Sequence, residues 1–107
     1  MDLGELVERH GRKLRAIDQL EPKLFQLDLR GSGAPTLLVR IKGSKGHGFT
    51  PELSHYVKSS SAAGPHRPSF HASDTLDEAL DEAVLHGLMF YDPDDEGATW
   101  EANPLFR

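Results

Sequence analysis

The stretch SFHASDTLDEALDEAVLHGLMFY, residues 69–91, decides the fold because it specifies the best-defined helix of the chain. Asp74 or Thr75 can cap its first turn, and Thr75 with Glu78 has the spacing of a capping box. Its apolar residues recur at helical spacing and predict one buried face; they are Leu76, Ala79, Leu80, Ala83, Val84 and Leu88. A helix beginning near Thr75 and ending near Gly87 is therefore predicted.

Short strands are predicted on both sides of this helix. Residues 69–72 read as the first strand, and Gly87 has the position of a left-handed C-cap. Leu88–Tyr91 is an apolar run that stops at Asp92-Pro93, which is typical of a buried strand. Residues 69–91 are thus interpreted as a strand–helix–strand unit.

An N-terminal helix is predicted over residues 2–18. Leu3, Val7, Leu14 and Ile17 share one face of it, and acidic residues precede basic ones in the order that the helix dipole favours. With His10 between Val7 and Leu14, these residues also follow the alternating four- and three-residue spacing of a coiled-coil seam. Packing on a sheet is the first interpretation, and a homodimer through helix 2–18 is the second.

A β-hairpin is predicted over residues 23–42. Apolar and polar residues alternate along Lys23–Arg30 and again along Thr36–Lys42, with a Gly- and Pro-containing turn at residues 31–35. Residues 43–68 are interpreted as loop-rich, with one further strand at Leu53–Lys58.

The C-terminal segment 92–107 is predicted to contain an acidic turn and a strand at Ala98–Glu101. Together these elements predict a single α+β domain of two layers, with an antiparallel sheet of about four or five strands packed against two helices.

Composition excludes several classes of protein. The 107 residues contain no cysteine, which excludes disulfide frameworks, thiolate catalysis and cysteine-ligated metal sites. No apolar run is long enough to cross a bilayer, and the N-terminus lacks the apolar region of a secretory signal. We therefore expect a cytoplasmic protein with no membrane association.

The net charge of −5 is unevenly distributed along the chain. Residues 1–67 have eleven Lys and Arg against seven Asp and Glu, giving +4, whereas residues 68–107 have ten acids against Arg107 alone, giving −9. One interpretation is that the two halves partly neutralise each other within the fold. The other is an acidic face that binds a basic protein, with the predicted binding residues Asp77, Glu78, Asp81, Glu82, Asp92, Asp94, Asp95 and Glu96.

This second interpretation gives the predicted function, a small non-enzymatic protein-interaction module of the inhibitor, antitoxin or adaptor type. The alternative is nucleic-acid binding through the basic hairpin and the glycine-rich segment 43–48. Its predicted contact residues are Arg40, Lys42, Lys45, His47 and Lys58.

Cofactor, metal and catalytic sites are not expected. His66 and His71 lack further ligands at zinc spacing, and residues 92–97 resemble the opening of a calcium loop but have Asn103 where that loop needs a bidentate glutamate. The glycine-rich segment does not have the order of a Walker loop. The serines near His55 form no nucleophile motif, so no enzyme activity is predicted.

The strand-to-helix step over Ser69–Ala83, with its sequence Ser-Asp-Thr-Leu-Asp-Glu-Ala, is similar to that of HicB-type antitoxins. Those are small domains that begin with a β-hairpin and pair with a toxin RNase. The predicted order of a helix, three strands and a helix also resembles the double-stranded-RNA-binding fold. That family needs a basic second helix, and Thr75–Leu88 is acidic, which argues against RNA binding there.

Overall fold

The computed structural model describes residues 2–107, which contain two α-helices and six β-strands. The helices are α1 (Leu3–Arg9) and α2 (Leu76–Gly87). The first four strands are β1 (Leu14–Glu21), β2 (Leu24–Leu29), β3 (Leu37–Ser44) and β4 (Gly48–Leu53). The last two are β5 (His55–Lys58) and β6 (Thr99–Ala102).

Strands β1 to β4 form one antiparallel sheet in chain order, and β5 pairs with β6 in a separate antiparallel sheet. Helix α2 packs on β4 and β3, and α1 packs against β1. The largest fully buried side chains are Leu14, Phe25, Leu27, Leu37, Val39, Ile41, Val57, Leu80, Val84 and Leu88. The predicted α+β domain with an antiparallel sheet and two helices is confirmed, with its strands divided between two sheets.

The predicted hairpin over residues 23–42 is confirmed as β2 and β3. Phe25 lies opposite Val39, and Leu27 lies opposite Leu37. All of these side chains are buried. Since alternate residues of a strand point to the same face, the alternation in the sequence produced one continuous core surface.

The predicted helix over residues 2–18 is wrong beyond its first half. Helix α1 ends at Arg9, and the chain enters β1 at Leu14. The pairing of β1 with β2 shifts register between Leu14 and Ala16, which marks a β-bulge. Leu14 and Ile17 are both buried, although they are three residues apart. Because three is also a helical spacing, the bulged strand imitates a helix in the sequence.

The homodimer predicted through helix 2–18 loses its structural basis with this correction. Its seam required Leu3, Val7, Leu14 and Ile17 on one continuous helix. In the structure Leu3 and Val7 pack from α1 against the hydrophobic core, whereas Leu14 and Ile17 belong to β1. The seam is therefore divided between two elements and does not form.

The two strands predicted beside α2 are absent from the described part of the chain. Residues 69–72 are irregular, and only Ser73 forms an isolated antiparallel bridge, with Phe49 of β4. After the helix the chain forms turns, in which the amides of Leu88 and Tyr91 donate to nearby carbonyl groups. These local hydrogen bonds satisfy the backbone, so the apolar run needs no strand partner.

Gly87 belongs to α2 and is not a left-handed C-cap. Its φ angle is not positive, and Leu88 occupies the C-cap position. A Cβ atom at Gly87 would lie 3.1 Å from Cδ1 of Leu53 in β4. Because Gly87 has no Cβ atom, the helix can pack closely on the sheet at this position.

Residues 43–68 contain more regular structure than predicted. They hold all of β4, which pairs with β3 and contains Pro51. Proline is tolerated on an edge strand because its missing N–H group needs no partner there. Pro51 is therefore compatible with β4, although a proline in the sequence favours a loop prediction. The strand predicted at Leu53–Lys58 is interrupted at Ser54, which separates the end of β4 from β5.

The predicted C-terminal strand is confirmed as β6, and Asn103 fixes the chain that follows it. Its Nδ2 atom donates to the Leu53 carbonyl oxygen at 2.8 Å, and its backbone amide donates to the Ser54 carbonyl oxygen at 2.8 Å. Trp100 packs against Tyr91, with 5.1 Å between ring centroids. The small sheet is thereby attached both to the end of β4 and to the segment after α2.

Candidate functional site

Helix α2 carries the first group of predicted partner-binding residues, and its N-terminus is capped as predicted. The Thr75 hydroxyl accepts a hydrogen bond from the Glu78 amide at 3.1 Å. Asp77 and Glu78 lie in the first turn, where the helix dipole favours negative charge. These acidic side chains therefore stabilise the helix, and they also give its N-terminal surface a negative charge.

The C-terminus of α2 is closed by a residue from the other end of the chain. Lys13 Nζ donates to the carbonyl oxygens of Leu88, at 2.7 Å, and Met89, at 3.2 Å. Burial lowers the pKa of Lys13, and the nearby charge of Arg12 lowers it further. Because a cation also interacts favourably with this end of the dipole, α2 is held at both termini.

One stripe of α2 faces away from the core. Its members are exposed and follow one another at spacings of four and three residues: Glu78, Glu82 and Leu85. Met89 is also exposed but lies just beyond the helix. Residues at such spacings align along a helix. The opposite side is buried and consists of Ala79, Leu80, Ala83, Val84 and Gly87. The outer stripe thus begins with carboxylates and ends with the apolar side chain of Leu85.

A groove of about 250 Å³ lies between α1 and α2 and is predominantly acidic. Its lining residues are Asp2, Glu5, Leu6, Arg9, Asp77, Glu78 and Asp81. Arg9 contacts Asp81 at 2.9 Å and Glu5 at 3.4 Å. Apart from Asp77, this one guanidinium group faces four carboxylates in the lining, so the groove keeps an excess of negative charge among the described residues.

A second groove, of about 560 Å³, lies on the other side of the stripe, against residues 69–73. Its lining residues are Ser69, Phe70, His71, Ala72, Ser73, Glu78, Asp81, Glu82 and His86. Glu82 contacts His86 Nε2 at 2.8 Å. Glu78 and Asp81 line both grooves and form the ridge between them.

His10 lies beside this ridge, with Nε2 3.8 Å from Asp81. Burial lowers the pKa of His10, and this effect outweighs the opposing influence of Asp81. Arg9 and Lys13 act in the same direction as burial. The folded protein therefore favours the neutral imidazole relative to the unfolded chain.

This shift predicts a pH dependence of stability. An unfolded histidine with the ordinary pKa of 6.5 binds a proton more readily than His10 does in the fold. The stability contributed by His10 is fully present above that pKa and is lost as the pH falls below it, through the lowered pKa of the fold. We expect the free energy of unfolding, measured with urea at several pH values, to rise more steeply across this window in the native protein than in His10→Gln. Equal slopes would contradict the assignment.

The acidic turn forms the second group of predicted residues, and Asp92 helps to build it. Its Oδ1 atom accepts a hydrogen bond from the Asp94 amide at 2.9 Å and lies 3.4 Å from Arg12. Asp94 itself is exposed and forms no ion pair with any residue from 2 to 107.

Asp95 also has a structural part in the turn. It accepts hydrogen bonds from the amides of Ser60, at 2.9 Å, and Gly97, at 3.1 Å. The hydrogen bonds from Ser60 lower the pKa of Asp95, with a smaller contribution from the charge of Lys58. Glu96 is exposed and has no ion-pair partner within the described residues.

The two acidic groups lie at opposite ends of α2. Asp77 and Glu78 lie at the N-terminal end of α2 and the turn follows its C-terminal end, and a helix of 12 residues is about 18 Å long. Arg9 contacts Asp81 of the first group, and Arg12 contacts Asp92 of the second. These pairs, with Arg67 and Glu101 at 2.7 Å, show that the two halves of the chain partly neutralise each other.

The residues of the predicted nucleic-acid surface are also separated. Lys42, Lys45 and His47 belong to the β3–β4 hairpin, and Lys45 and His47 are exposed at its turn. Lys42 contacts Glu52 at 2.8 Å. Lys58 lies in β5, on the other sheet.

Arg40 is partly covered by the C-terminal segment. Its guanidinium carbon lies 5.7 Å from the centroid of the Phe106 ring, and Glu52 is its cross-strand neighbour. The nearby Glu52 carboxylate and the Phe106 ring both reduce the access of a phosphate group to the Arg40 guanidinium. Among the described residues of the predicted set, Lys45 and His47 at the hairpin turn and Lys58 in β5 form no ion pair, and they lie on different sheets.

Metal and catalytic groupings are not assembled within residues 2–107. No three His, Asp or Glu side chains in this range lie where they could share a metal ion. Ser54 Oγ lies 2.8 Å from His55 Nδ1, but Ser54 is buried and also accepts a hydrogen bond from the Leu38 amide. Its contacts are those of a strand break and not of an accessible nucleophile.

Several surface residues near α2 were missed in the sequence. Leu85, Met89 and Phe90 are exposed, and the Phe90 ring packs edge-on against His66 with 4.6 Å between centroids. Met89 and Phe90 were assigned to a buried strand. The position of Leu85 on α2 places it outside the buried arc of the helix, whereas Met89 and Phe90 follow the helix and have no comparable signal.

No family model, no curated protein and no solved structure matches this chain. The similarity of Ser69–Ala83 to HicB-type antitoxins is not supported by these comparisons, and residues 69–72 do not form the expected strand. The four strands that precede β5 and α2 also depart from the order of the double-stranded-RNA-binding fold. Helix α2, the longest described, is too short to cross a membrane.

Proposed function

We propose that the protein is a small non-enzymatic interaction module, of the inhibitor, antitoxin or adaptor type, that binds a basic protein partner in the cytoplasm. The proposed primary contact is the ridge formed by Glu78 and Asp81, with Asp77 and Glu82 beside it. The exposed carboxylates of the acidic turn, Asp94 and Glu96, supply a second contact at the other end of α2.

The observation that carries this proposal is the position of the ridge between two grooves. Carboxylates project into both grooves from one doubly capped helix, and Arg9 is the one Lys or Arg side chain of residues 2–107 that lines either of them. A lysine or arginine side chain of a partner can therefore enter either groove and meet two or more carboxylates. The backbone that carries these carboxylates is already ordered, so binding has to order only the side chains themselves.

Charge alone does not give high affinity at such a site. Exposed ion pairs contribute about 0–1 kcal/mol each and are screened by salt. Their principal effects are faster association and selection against acidic partners. The proposal therefore predicts binding that is sensitive to ionic strength and that needs apolar contacts in addition.

Charge reversal on α2 tests the proposal. We expect Glu78→Lys combined with Glu82→Lys to weaken binding of the basic partner by at least about tenfold, because attraction becomes repulsion at both positions. The partner is first captured from the native host at low and high salt, and its affinity is then measured for each variant. Circular dichroism and thermal unfolding verify that the variant keeps its fold.

A matched control is available on β1. Asp18→Lys with Glu21→Lys changes the net charge by the same amount at exposed positions that form no ion pair within residues 2–107. This variant should bind with little change. Equal loss in both variants would indicate a general effect of net charge and contradict the proposed surface. Recovery of nucleic acid without a basic protein would favour the β3–β4 hairpin, where Lys42→Ala and Lys45→Ala would then reduce binding.

A further inference from the structure

Strand β6 has an edge that no other strand covers. It pairs with β5 on one side, in a register that places Val57 opposite Trp100. The small sheet contains only these two strands in the part of the chain that the structure describes. Thr99, Glu101 and Ala102 are exposed. The second side of β6 is therefore accessible from solvent.

The backbone groups on this open side are identified by a hydrogen bond of β5. The Val57 carbonyl oxygen accepts from the His66 amide at 2.8 Å, so it is directed away from β6. In an antiparallel pair, residues that exchange both hydrogen bonds alternate with residues that turn both groups away from each other. Trp100, opposite Val57, therefore directs its N–H and C=O groups away from β5, and so does Ala102, two residues further on.

The end of the ladder has the same phase. The Asn103 amide donates to the Ser54 carbonyl oxygen at 2.8 Å. Because residues bonded to the neighbouring strand recur at every second position, Glu101 bonds to β5, whereas Trp100 and Ala102 do not. No turn or loop within residues 2–107 supplies their outward groups with a backbone partner. Two N–H and two C=O groups are thus in place for a further strand.

The other three sheet edges are closed or irregular. His66 occupies the outer side of β5 through its bond to Val57. Ser73 and Phe49 exchange two hydrogen bonds of 2.8 Å on the outer side of β4. Strand β1 shows two register shifts in its pairing with β2, and such bulges disfavour the addition of a strand. Among the described strands, β6 is the one with a regular open edge.

The acidic turn lies at the N-terminal end of this edge. The amide of Ala98, the residue before β6, donates to the Asp95 carbonyl oxygen at 3.1 Å, which holds the turn against the start of the strand. Asp94 and Glu96 are exposed and form no ion pair within the described residues. Lys58 on β5 is one cation against these three carboxylates, so this end keeps a net negative charge.

We propose that β6 receives an extended segment of the basic partner as a third strand of the small sheet. The backbone of that segment exchanges hydrogen bonds with Trp100 and Ala102, and a lysine or arginine at its end lies beside Asp94 and Glu96. Main-chain hydrogen bonds give affinity in this mode of binding, and alternate side chains give specificity. The inference rests on the proposed function and assigns the backbone conformation and the chemistry of its second contact.

A second copy of this chain is a poorer occupant of the edge. Pairing of two β6 strands would bring a second acidic turn to a sheet edge that already has an excess of carboxylates. Each copy also has a net charge of −5, which opposes association. A basic segment meets neither obstacle.

Hydrogen exchange of the free protein tests the register. Thr99 and Glu101 bond to β5, so we expect their amides to exchange at least about tenfold more slowly than the amides of Trp100 and Ala102. NMR measures all four rates on the native protein. Equal protection of the four amides would show that the outward groups are already bonded and would overturn the proposal.

A designed peptide tests the third strand. The probe has about six central residues in which valine and threonine alternate, the usual length of a strand, with two lysines at each end. Lysines at both ends place a cation beside the acidic turn for either strand direction. The control peptide has the same sequence with its central amides N-methylated, which removes their hydrogen-bond donors. We expect the probe to bind at least about tenfold more tightly than the control and to slow exchange at Trp100 and Ala102.

Proline at residue 102 blocks the edge from the side of the protein. Ala102→Pro removes an N–H group that points away from β5, so the existing ladder keeps its bonds. We expect this variant to keep its circular dichroism spectrum and to bind the probe about tenfold more weakly. Ala102→Thr keeps the amide and should bind as the native protein does. The comparison of the two peptides on the native protein does not depend on either variant.

Neutralisation of the turn tests the charge contact. Asp94→Asn with Glu96→Gln should weaken the probe by about threefold and reduce its dependence on salt, because exposed ion pairs contribute little each. Asp18→Asn with Glu21→Gln on β1 removes the same charge elsewhere and should leave binding unchanged. Equal effects of the two pairs would contradict the position of the cation beside the turn.

Failure of this proposal is distinguishable from failure of the proposed function. Equal binding of the two peptides, no binding of either, or NMR shifts on β1 in place of β6 would overturn the third strand. Glu78→Lys with Glu82→Lys would still test the ridge on α2 with the captured partner. Sedimentation that shows a dimer, dissociated by Ala102→Pro, would assign the edge to a second copy and overturn the proposal.

Discussion

Replacement of Leu80 by alanine is expected to lower the free energy of unfolding by about 2–5 kcal/mol. Leu80 is 0% exposed and belongs to the face of α2 that packs on the sheet. The substitution removes apolar burial and leaves a cavity that a close-packed core fills only partly. Because the total stability of such a domain is about 5–15 kcal/mol, a single change here removes a large fraction of it.

The matched control is the same substitution five positions later on the same helix. Leu85 is 45% exposed, so Leu85→Ala removes little buried surface, and alanine has the higher helix propensity. We expect its effect on stability to lie within about 0.5 kcal/mol. Urea unfolding followed by circular dichroism measures both variants. Similar losses in the two would show that the helix is docked differently from the arrangement described.

The β3–β4 hairpin gives the second large effect. Gly43 has a φ angle of 110°, and a Cβ atom there would overlap the carbonyl oxygen of Gly48 on the facing strand. Alanine at this position meets both an unfavourable backbone conformation and a backbone clash that no side-chain movement relieves. We expect Gly43→Ala to cost about 3 kcal/mol, near the upper end of ordinary single substitutions.

Substitution of Gly46, at the turn of the same hairpin, tests the effect of the backbone conformation without the backbone clash. Its φ angle is 89°, but a Cβ atom there would have no neighbour within 4 Å. Gly46→Ala therefore meets only the cost of the left-handed conformation, about 1–2 kcal/mol. Urea unfolding measures both, and NMR shifts of β3 and β4 show whether the strands separate. A loss at Gly43 no larger than at Gly46 would contradict the close approach of the two strands.

Local patterns in the sequence predicted the elements whose signal is contained in a few neighbouring residues. The Thr75 cap, the buried face around Leu80 and the alternation through Phe25 all depend on short-range chemistry, and each is confirmed. The bulge between Leu14 and Ala16 was not predictable in this way, because it changes the period of β1 to one that resembles a helix.

The site depends on contacts between residues far apart in the chain, and these were less predictable. Asp81 was correctly placed on the exposed part of α2, but its contact with Arg9 depends on where α1 packs. The grooves on either side of Glu78 are formed by segments whose positions only the fold determines. Leu85 is not part of the predicted buried face, and its exposure in the structure agrees with that face.

The contact between Lys13 and the end of α2 has a consequence for how the protein is made. The lysine and its acceptor at Leu88 are 75 residues apart in the sequence. At a synthesis rate of about 5–20 residues per second, roughly 4–15 s separate the appearance of the two on the ribosome. Lys13 therefore cannot make this contact until Leu88 has been synthesised. The hairpins between these two residues need only neighbouring residues and can form first. This contact can close only after the hairpins between its two residues have been synthesised, so it is a late step in the assembly of the fold.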